Sequence, residues 1–344
     1  MNKIKELKIK NFTCFENLEF KFNNINIFIG ENGVGKTHLL KVLFSHIKSI
    51  SDIKKDGSEE SFSTELQEKI EDVFFGGNIK NLNRNNKHFE IEVVTENGII
   101  KSKCGQKNSL KNNELKAELQ QKDSKFNVIY IPTQEILSTY TNYLDYSEIA
   151  KYKLDSTYYY LANSLNKKEN KVYSLSSFYN GFNKILKGEI INTNEGYSFQ
   201  KEKYTFQSSL VGDGIKKLGT YKLLLENKEI NKDTILFIDE PEVHLNPKLI
   251  NFFISFIIEL SEKGVQIFLS SHNYLLIYLL SLKSEYSKET PISFFSLYET
   301  NDLKVTYDFG QQLSDLENNT IVAEYESLFE IEQEYFTSKQ NAND

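Results

Sequence analysis

The chain has 344 residues, 39% of them hydrophobic and 26% charged, as in an ordinary soluble globular protein. A net charge of −7 excludes a protein whose whole surface grips nucleic acid, because such binding depends on lysine and arginine, although a local basic groove is compatible with it. The two cysteines, Cys14 and Cys104, exclude a disulfide framework and fit a reducing compartment. The longest apolar stretch, near Tyr274–Leu282, is too short to cross a bilayer core of about 30 Å. We therefore expect a cytoplasmic protein that does not associate with membranes.

The first part of the chain alternates between strand and helix patterns. Apolar periodicity predicts two or three strands in residues 1–30, helices at Thr37–Ile50 and Ser63–Phe75, a hairpin over 89–103, and a strand at Val128–Ile131. Residues 105–126 are very polar, and we expect a solvated helix or a loose linker there.

The rest of the chain becomes more regular toward its end. Residues 135–187 are predicted to be mostly helical, and a second hairpin is predicted near Asn192–Phe206 with its turn at 194–196. The pattern then predicts helices at Gly214–Leu225, from Pro247 to Gly264 and at Asn319–Phe336, and strands at Thr234–Ile238, Val265–Leu269, Pro291–Leu297 and Lys304–Phe309. Strands that alternate with helices imply a mostly parallel sheet covered on both faces.

A glycine-rich loop follows the buried run Ile25–Ile29 and opens a helix. Its residues, Gly30, Glu31, Asn32, Gly33, Val34, Gly35, Lys36 and Thr37, match the phosphate-loop pattern G-x-x-x-x-G-K-[ST] in full. Glycines let backbone N–H groups turn inward around phosphates, and the helix N-terminus adds its positive dipole end. We expect Lys36 to reach the β- and γ-phosphates of ATP and the Thr37 hydroxyl to ligate Mg²⁺. We count His38, the next residue, with this loop.

Two acids end the predicted strand Thr234–Ile238. Side chains at the carboxyl end of a strand project into the crevice where doubly wound sheets bind ligands. We expect Asp239 to hold Mg²⁺ through water and Glu240 to polarise the attacking water as a general base. The alternative is a pair of solvated acids at the start of a turn, and the phosphate loop upstream favours the catalytic interpretation.

The residues around these acids resemble a known family. Asp239–Pro247 is similar to the Walker B and D-loop segment of ABC-type ATPases, and more narrowly of the branch that contains SMC, RecF and the OLD-type ATPases of bacterial defence systems. Lys8–Phe12 resembles the opening strands of that branch, and Phe268–Leu276 resembles its histidine-switch segment.

The resemblance implies an α/β fold. This fold is a P-loop NTPase fold, namely an ABC-ATPase head. Such a head has a mixed or parallel sheet, N-terminal antiparallel strands and an inserted helical lobe. The resemblance assigns residues 1–50 and 205–344 to the ATPase core. Residues 51–204 are then an insertion with a hairpin, a polar linker and the helical lobe, and it includes a core strand near 127–137.

Two further site residues come from the resemblance. His272 is implied to sense the γ-phosphate, although an isolated histidine after a strand is usually structural. Gln134 falls where the Q-loop of the family lies, and a glutamine there contacts Mg²⁺ and the attacking water. A polar residue that caps the next helix is the alternative for Gln134.

The sequence departs from the family at the signature segment. The expected Ser-Gly-Gly before a helix is replaced by Gly212-Asp213-Gly214, and Ser208 and Ser209 are out of register. We expect Gly214 to open the helix toward a phosphate bound by a second head, with Lys216 or Lys217 supplying charge. The alternative is an ordinary helix start with two surface lysines.

The resemblance implies a soluble ATPase that works as a switch or sensor. Its heads pair around ATP as a homodimer or higher homo-oligomer, and the cycle controls a separate effector, a nuclease or a toxin, in antiphage defence or nucleic-acid maintenance. Nucleic acid is not indicated by the net charge. Two alternatives remain open: the ATPase subunit of an ABC transporter, and a nucleotide sensor that does not hydrolyse ATP.

Overall fold

The computed structural model describes residues 3–52, 59–74, 77–105, 115–121, 126–139, 155–167, 176–193, 196–286 and 291–341. At its centre is a six-stranded sheet, made of β3 (Ile25–Ile29), β7 (Asn127–Ile131), β11 (Thr234–Asp239), β12 (Gln266–Ser271), β13 (Ile292–Glu299) and β14 (Val305–Gly310). The strand order is β14-β13-β3-β12-β11-β7. All neighbouring pairs are parallel except β13 and β14, which are antiparallel. This confirms the predicted mixed sheet.

Eight helices are described around the sheets. They are α1 (Lys36–Asp52), α2 (Glu59–Val73), α3 (Thr157–Asn166), α4 (Ser176–Leu186), α5 (Asp213–Glu226), α6 (Pro247–Glu262), α7 (Tyr274–Tyr286) and α8 (Thr320–Asn341). The central strands are apolar on both sides: Ile27 packs in one buried cluster with α5, α6 and α7, and Phe28 packs in the other with α1 and α2. Helices on both faces are the reason that these strands are continuous apolar runs.

A second, antiparallel sheet covers α1 and α2 from outside. It consists of β1 (Ile4–Phe12), β2 (Phe15–Lys21), β4 (Phe89–Thr95), β5 (Gly98–Cys104) and β6 (Leu115–Gln121), in the order β2-β1-β4-β5-β6. Strand β6 corrects the expectation of a helix or linker at 115–121, whereas 106–114 and 122–125 of that predicted stretch lie outside the described residues. Its apolar Leu115 and Ala117 alternate with charged residues and face α2, where Ser63 accepts a hydrogen bond from the Ala117 backbone N–H at 2.8 Å. A pattern this short is hard to separate from a polar linker.

A third sheet lies before α5. Strands β8 (Glu189–Thr193), β9 (Gly196–Lys201) and β10 (Tyr204–Gln207) form a meander, so the predicted hairpin begins earlier than expected and has an additional strand. Its turn at 194–196 lies mostly outside the described residues, as do 140–154 and 168–175 of the region predicted to be helical. The described remainder of that region contains α3 and α4.

The other predicted elements are present with end shifts of a few residues. Asn246 caps α6 as predicted, because its side chain accepts a hydrogen bond from the Leu249 backbone N–H. The division into core and insertion stays a prediction, since β4 of the expected insertion pairs directly with β1 of the expected core. In the part of the chain that the structure describes, no helix combines the length and apolarity needed to cross a bilayer.

Candidate functional site

Three parallel strands bring the predicted site residues to one edge of the central sheet. Strand β3 leads into Gly30, β11 ends at Asp239, and β12 lies between them and ends at Ser271. The loop after β3 and the two acids at the end of β11 therefore flank the end of β12. This is the crevice in which open α/β sheets bind ligands.

The phosphate loop depends on glycine at its two ends. Gly30 has φ of 141° and Gly35 has φ of 94°, both in the left-handed range that residues with a Cβ rarely adopt. A Cβ on Gly35 would also lie 2.5 Å from the Cys14 Sγ and from the Phe15 ring. The loop is thus packed against the turn between β1 and β2, while Asn32 and Gly33 are exposed at its tip and Val34 is buried.

Lys36 lies beneath this loop and is almost completely buried. Its ammonium donates hydrogen bonds to the carbonyl oxygens of Gly30 at 2.6 Å and Glu31 at 2.8 Å. Burial lowers the pKa of Lys36, and the nearby carboxylates of Glu240 and Asp239 oppose that shift. The loop therefore holds a cation whose charge is only partly compensated, which suits it to a polyanionic ligand.

Thr37 and Asp239 form the contact between the phosphate loop and β11. The Thr37 hydroxyl donates to the Asp239 carboxylate, with distances of 3.0 and 3.1 Å to its two oxygens. Ser270 on β12 donates to the same carboxylate, and the Tyr130 hydroxyl on β7 lies 3.3 Å from it. Hydroxyl and carboxylate oxygens are ligands that Mg²⁺ accepts. No cluster of three or more His, Cys, Asp or Glu able to hold a metal occurs among the described residues.

Glu240 and His272 form a hydrogen-bonded pair next to Asp239. The His272 Nδ1 lies 2.9 Å from the Glu240 Oε1, and both side chains are partly exposed to the crevice. The Glu240 backbone has φ of 46°, an uncommon conformation for a residue with a Cβ, and its N–H donates to the Ser270 carbonyl oxygen at 3.2 Å. The sheet thus holds a carboxylate and an imidazole beside the same opening.

The buried carboxylate of Glu242 holds the backbone next to this pair. Glu242 accepts hydrogen bonds from the Ser271 hydroxyl at 2.8 Å and the His272 backbone N–H at 3.3 Å. Burial raises its pKa. Sequence reasoning included Glu242 in a motif but gave it no role, because nothing in one sequence marks which acid of Asp-Glu-Pro-Glu is buried.

The two lysines of the signature segment contact their own chain. The Lys217 ammonium donates to the carbonyl oxygens of Thr133 at 2.9 Å and Glu240 at 2.8 Å, and burial lowers its pKa to about 8. Lys216 is 4% exposed and contacts Glu135 and Asp213 at 2.8 Å each. Both ammonium groups are therefore engaged within their own chain rather than free at the surface, and charge donation toward a second head stays a prediction. Lys217 instead links the start of α5 to both Gln134's loop and the Glu240 backbone.

The glycines of this segment differ in their surroundings. A Cβ on Gly214 would lie 2.6 Å from the His244 carbonyl oxygen, whereas a Cβ on Gly212 would meet nothing within 4 Å. Gly214 thus permits close packing of α5 on the turn after β11, in addition to any role toward phosphate. Gly212 is the exposed member of the pair.

Gln134 and His38 occupy contrasting positions. Gln134 follows β7 and is exposed at the same edge of the sheet as the phosphate loop. The His38 ring packs against Phe74 with 5.5 Å between centroids, and burial lowers its pKa to about 4. Within the described residues the His38 Nδ1 has no hydrogen-bond partner.

Comparisons with known proteins give the same fold. A family model described as "AAA domain, putative AbiEii toxin, Type IV TA system" matches residues 25–277. Part of the chain is 45% identical over 49 residues to the Old nuclease of Escherichia phage P2, a match that covers 14% of this chain and 8% of that nuclease. Among solved structures, an Smc head bound to the C-winged helix domain of ScpA has a TM-score of 0.54 at 12% identity, covering 89% of this chain and 97% of that one. An Smc head with an extended coiled coil, bound to the C-terminal domain of ScpA derived from Pyrococcus furiosus, has a TM-score of 0.53 at 11% identity and covers 96% and 100%.

Proposed function

Because the chain belongs to this family of AAA-domain proteins, as an SMC/RecF/OLD-like P-loop ATPase, we propose that it binds ATP with Mg²⁺ and hydrolyses it to ADP and phosphate. The observation that supports this most directly is the contact between Thr37 and Asp239. It joins the helix that opens at the phosphate loop to the acidic end of β11. Glu240 and His272 lie beside it, where a γ-phosphate held by the loop would be attacked.

Each residue of the site has a role in the proposed reaction. The loop N–H groups and Lys36 bind the phosphates, and Thr37 and Asp239 hold Mg²⁺, which when bound neutralises charge on the β- and γ-phosphates. Glu240 accepts a proton from the attacking water, and His272 orients that carboxylate and contacts the γ-phosphate. Gln134, exposed at the same edge, orients the water or a ligand of Mg²⁺.

The cycle further requires two copies of the chain. We infer that ATP-bound heads pair so that the exposed Gly212 of one head approaches the nucleotide held by Lys36 of the other. Two identical sites would form one two-fold interface. Because Lys216 and Lys217 are engaged within their own chain, such capping would depend on backbone N–H groups at the start of α5 rather than on these charges.

The biological task we propose is control of a separate effector, a nuclease or a toxin, in antiphage defence or nucleic-acid maintenance in the cytoplasm. The family description, with its toxin–antitoxin reference, and the short match to a phage nuclease support this assignment. The match spans a small part of that nuclease, so its activity as a whole is not attributed to this chain.

The test is to separate ATP binding from turnover. We expect Glu240→Gln to bind ATP as the wild type does and to release phosphate at least ~100-fold more slowly, because it lacks the general base. Calorimetry measures binding, and a steady-state phosphate assay with and without EDTA measures turnover. Glu262→Gln, at an exposed position of α6, is the matched control and should behave as the wild type.

Two results would contradict the proposal. Absence of ATP binding in the wild type would remove ATP as the ligand. Binding with no turnover in any form would instead favour a nucleotide sensor, the alternative supported by the altered signature segment.

A further inference from the structure

The last helix leaves the body of the protein. Asn319 caps α8, and Tyr325 stacks on Tyr274 of α7 with 4.2 Å between ring centroids. Every residue from Ala323 to Ser338 is exposed. These residues span about 24 Å of helix at ~1.5 Å per residue. A single exposed helix of this length is marginally stable in water, so a contact that covers it would also stabilise it.

The projecting part of α8 carries a stripe of large apolar side chains. They are Tyr325, Leu328, Phe329, Ile331, Tyr335 and Phe336. Their spacing of three, four and seven residues places them along one side of the helix. Leu328 is 51% exposed and Phe336 is 69% exposed. A row of large exposed apolar side chains of this kind is typical of an interface rather than of a solvated face.

The charge of α8 restricts what can cover the stripe. Its projecting part contains five glutamates, Glu324, Glu326, Glu330, Glu332 and Glu334. No lysine or arginine occurs from Val305 to Ser338. Glu332 lies within the stripe, where it lines the same hollow as Leu328 and Tyr335. A second copy of α8 would bring glutamates against glutamates and bury Glu332 without a partner, which is strongly unfavourable.

We propose that the stripe on α8 binds a helical segment of another protein that is apolar on one side, rich in lysine or arginine, and places one basic side chain opposite Glu332. Apolar residues of the two helices would interdigitate, and the flanking charges would select orientation and partner. Identifying that partner with the controlled effector rests on the proposed function, whereas the surface itself does not. Failure of ATP turnover would therefore leave this inference intact.

The experiment uses the absence of tryptophan from the chain. Phe336→Trp places a single reporter on the stripe. The probe is a synthetic three-heptad amphipathic helix with leucine and isoleucine on one side and lysine on the other. A matched control peptide carries glutamate in place of lysine. We expect the lysine peptide to shift the emission to shorter wavelength in a saturable titration and the glutamate peptide to have no effect. Every variant is made in the full chain, and circular dichroism verifies that each one folds.

Charge and apolar variants then test the site. In the reporter background, Glu332→Lys should weaken binding at least ~10-fold, and Leu328→Asn should do the same without changing charge. Glu262→Lys, the same charge change on α6, should change binding less than ~2-fold.

Five results would overturn the inference. Equal binding of both peptides, or an equal effect of Glu262→Lys, would show that no selective basic partner site exists. Binding of neither peptide would exclude the proposed partner chemistry. Self-association that is lost in Leu328→Asn would assign the stripe to a second copy. An emission maximum already at short wavelength in the free protein would show that this chain covers its own stripe.

Discussion

At the edge of the central sheet that carries the phosphate loop, burial shifts the pKa values of charged side chains in opposite directions. The pKa values of Lys36 and Lys217 are lowered because water is excluded around them, and that of Glu242 is raised for the same reason. Lys36 faces the loop carbonyls, whereas Lys217 faces the backbone of Thr133 and Glu240. The two lysines therefore differ in their surroundings, and the proposed function gives them separate tasks: Lys36 would bind the ligand, and Lys217 would fix the position of Glu240.

Lys36→Ala should weaken ATP binding at least ~10-fold, about 1.4 kcal/mol, because the main cation of the phosphate loop is lost. Titration calorimetry measures the affinity. Lys48→Ala, which removes a partly exposed lysine of the same helix, is the control and should bind as the wild type does. An affinity within about threefold of wild type would remove Lys36 from its assigned role.

Lys217→Met should lower turnover about tenfold while leaving ATP affinity nearly unchanged. The ammonium fixes the Glu240 carbonyl, and its loss lets a residue with an uncommon φ relax away from the attacking water. The pH–rate profile should change too, because a group of pKa about 8 is removed.

The control for this variant is Lys222→Met, which removes another buried lysine of α5, one paired with Glu189 and Glu226. It should reduce stability without changing turnover per folded molecule. If both variants reduced turnover equally, the effect of Lys217→Met would be general damage to α5.

The first helix is fixed to the antiparallel sheet by a buried histidine. The His46 Nδ1 lies 2.7 Å from the Val42 carbonyl oxygen, and the Nε2 lies 2.9 Å from the Ser102 hydroxyl on β5. Burial lowers the pKa of His46 to about 4. Because α1 begins at the phosphate loop, this contact ties the loop to the outer sheet.

The histidine makes stability depend on pH in a defined direction. Between pH 6.5 and about 4 the unfolded chain binds a proton at His46 that the folded chain does not, so the free energy of unfolding falls as the pH falls through this window. The stability advantage of wild type over His46→Gln should therefore shrink by roughly 2 kcal/mol from pH 7 to pH 5. Urea unfolding of both proteins at each pH measures it, and a constant difference would contradict the assigned pKa.

The proposed pairing of two heads would use surfaces that one chain leaves open. Gly212 stands at the N-terminus of α5 with no atom near its Cβ position, whereas Gly214 is already packed against the His244 carbonyl. A bulky residue at 214 would damage the fold of a single head and so could not test pairing. Position 212 is compatible with a residue that has a Cβ, since its φ is −61° and nothing lies within 4 Å of the Cβ position.

Gly212→Trp in the Glu240→Gln background should abolish ATP-dependent doubling of mass in light scattering while each head still binds ATP. The indole would occupy the space through which the second head approaches. Tyr286→Trp, at a highly exposed position on α7, is the control and should pair normally. Pairing that survives Gly212→Trp would mean that the heads meet through another surface.

Local patterns in the sequence were sufficient for the phosphate loop, the Asp-Glu pair after β11 and the parallel strands that carry them. These features are local: glycine spacing, an apolar run and a following helix pattern lie within a few turns of chain. The polar strand β6 was wrongly predicted, because its pairing with β5 is invisible in its own residues.

Contacts between segments that are distant in sequence can be identified only from the tertiary structure. Nothing in the sequence shows that Lys217 reaches the Glu240 carbonyl or that Lys216 reaches Glu135, because charge type and spacing do not reveal burial. The same holds for the closeness of Gly214 to His244 and for the exposure of the apolar stripe on α8. Motifs report which chemical groups are present, and packing decides which of them face ATP, which face each other and which remain on the surface.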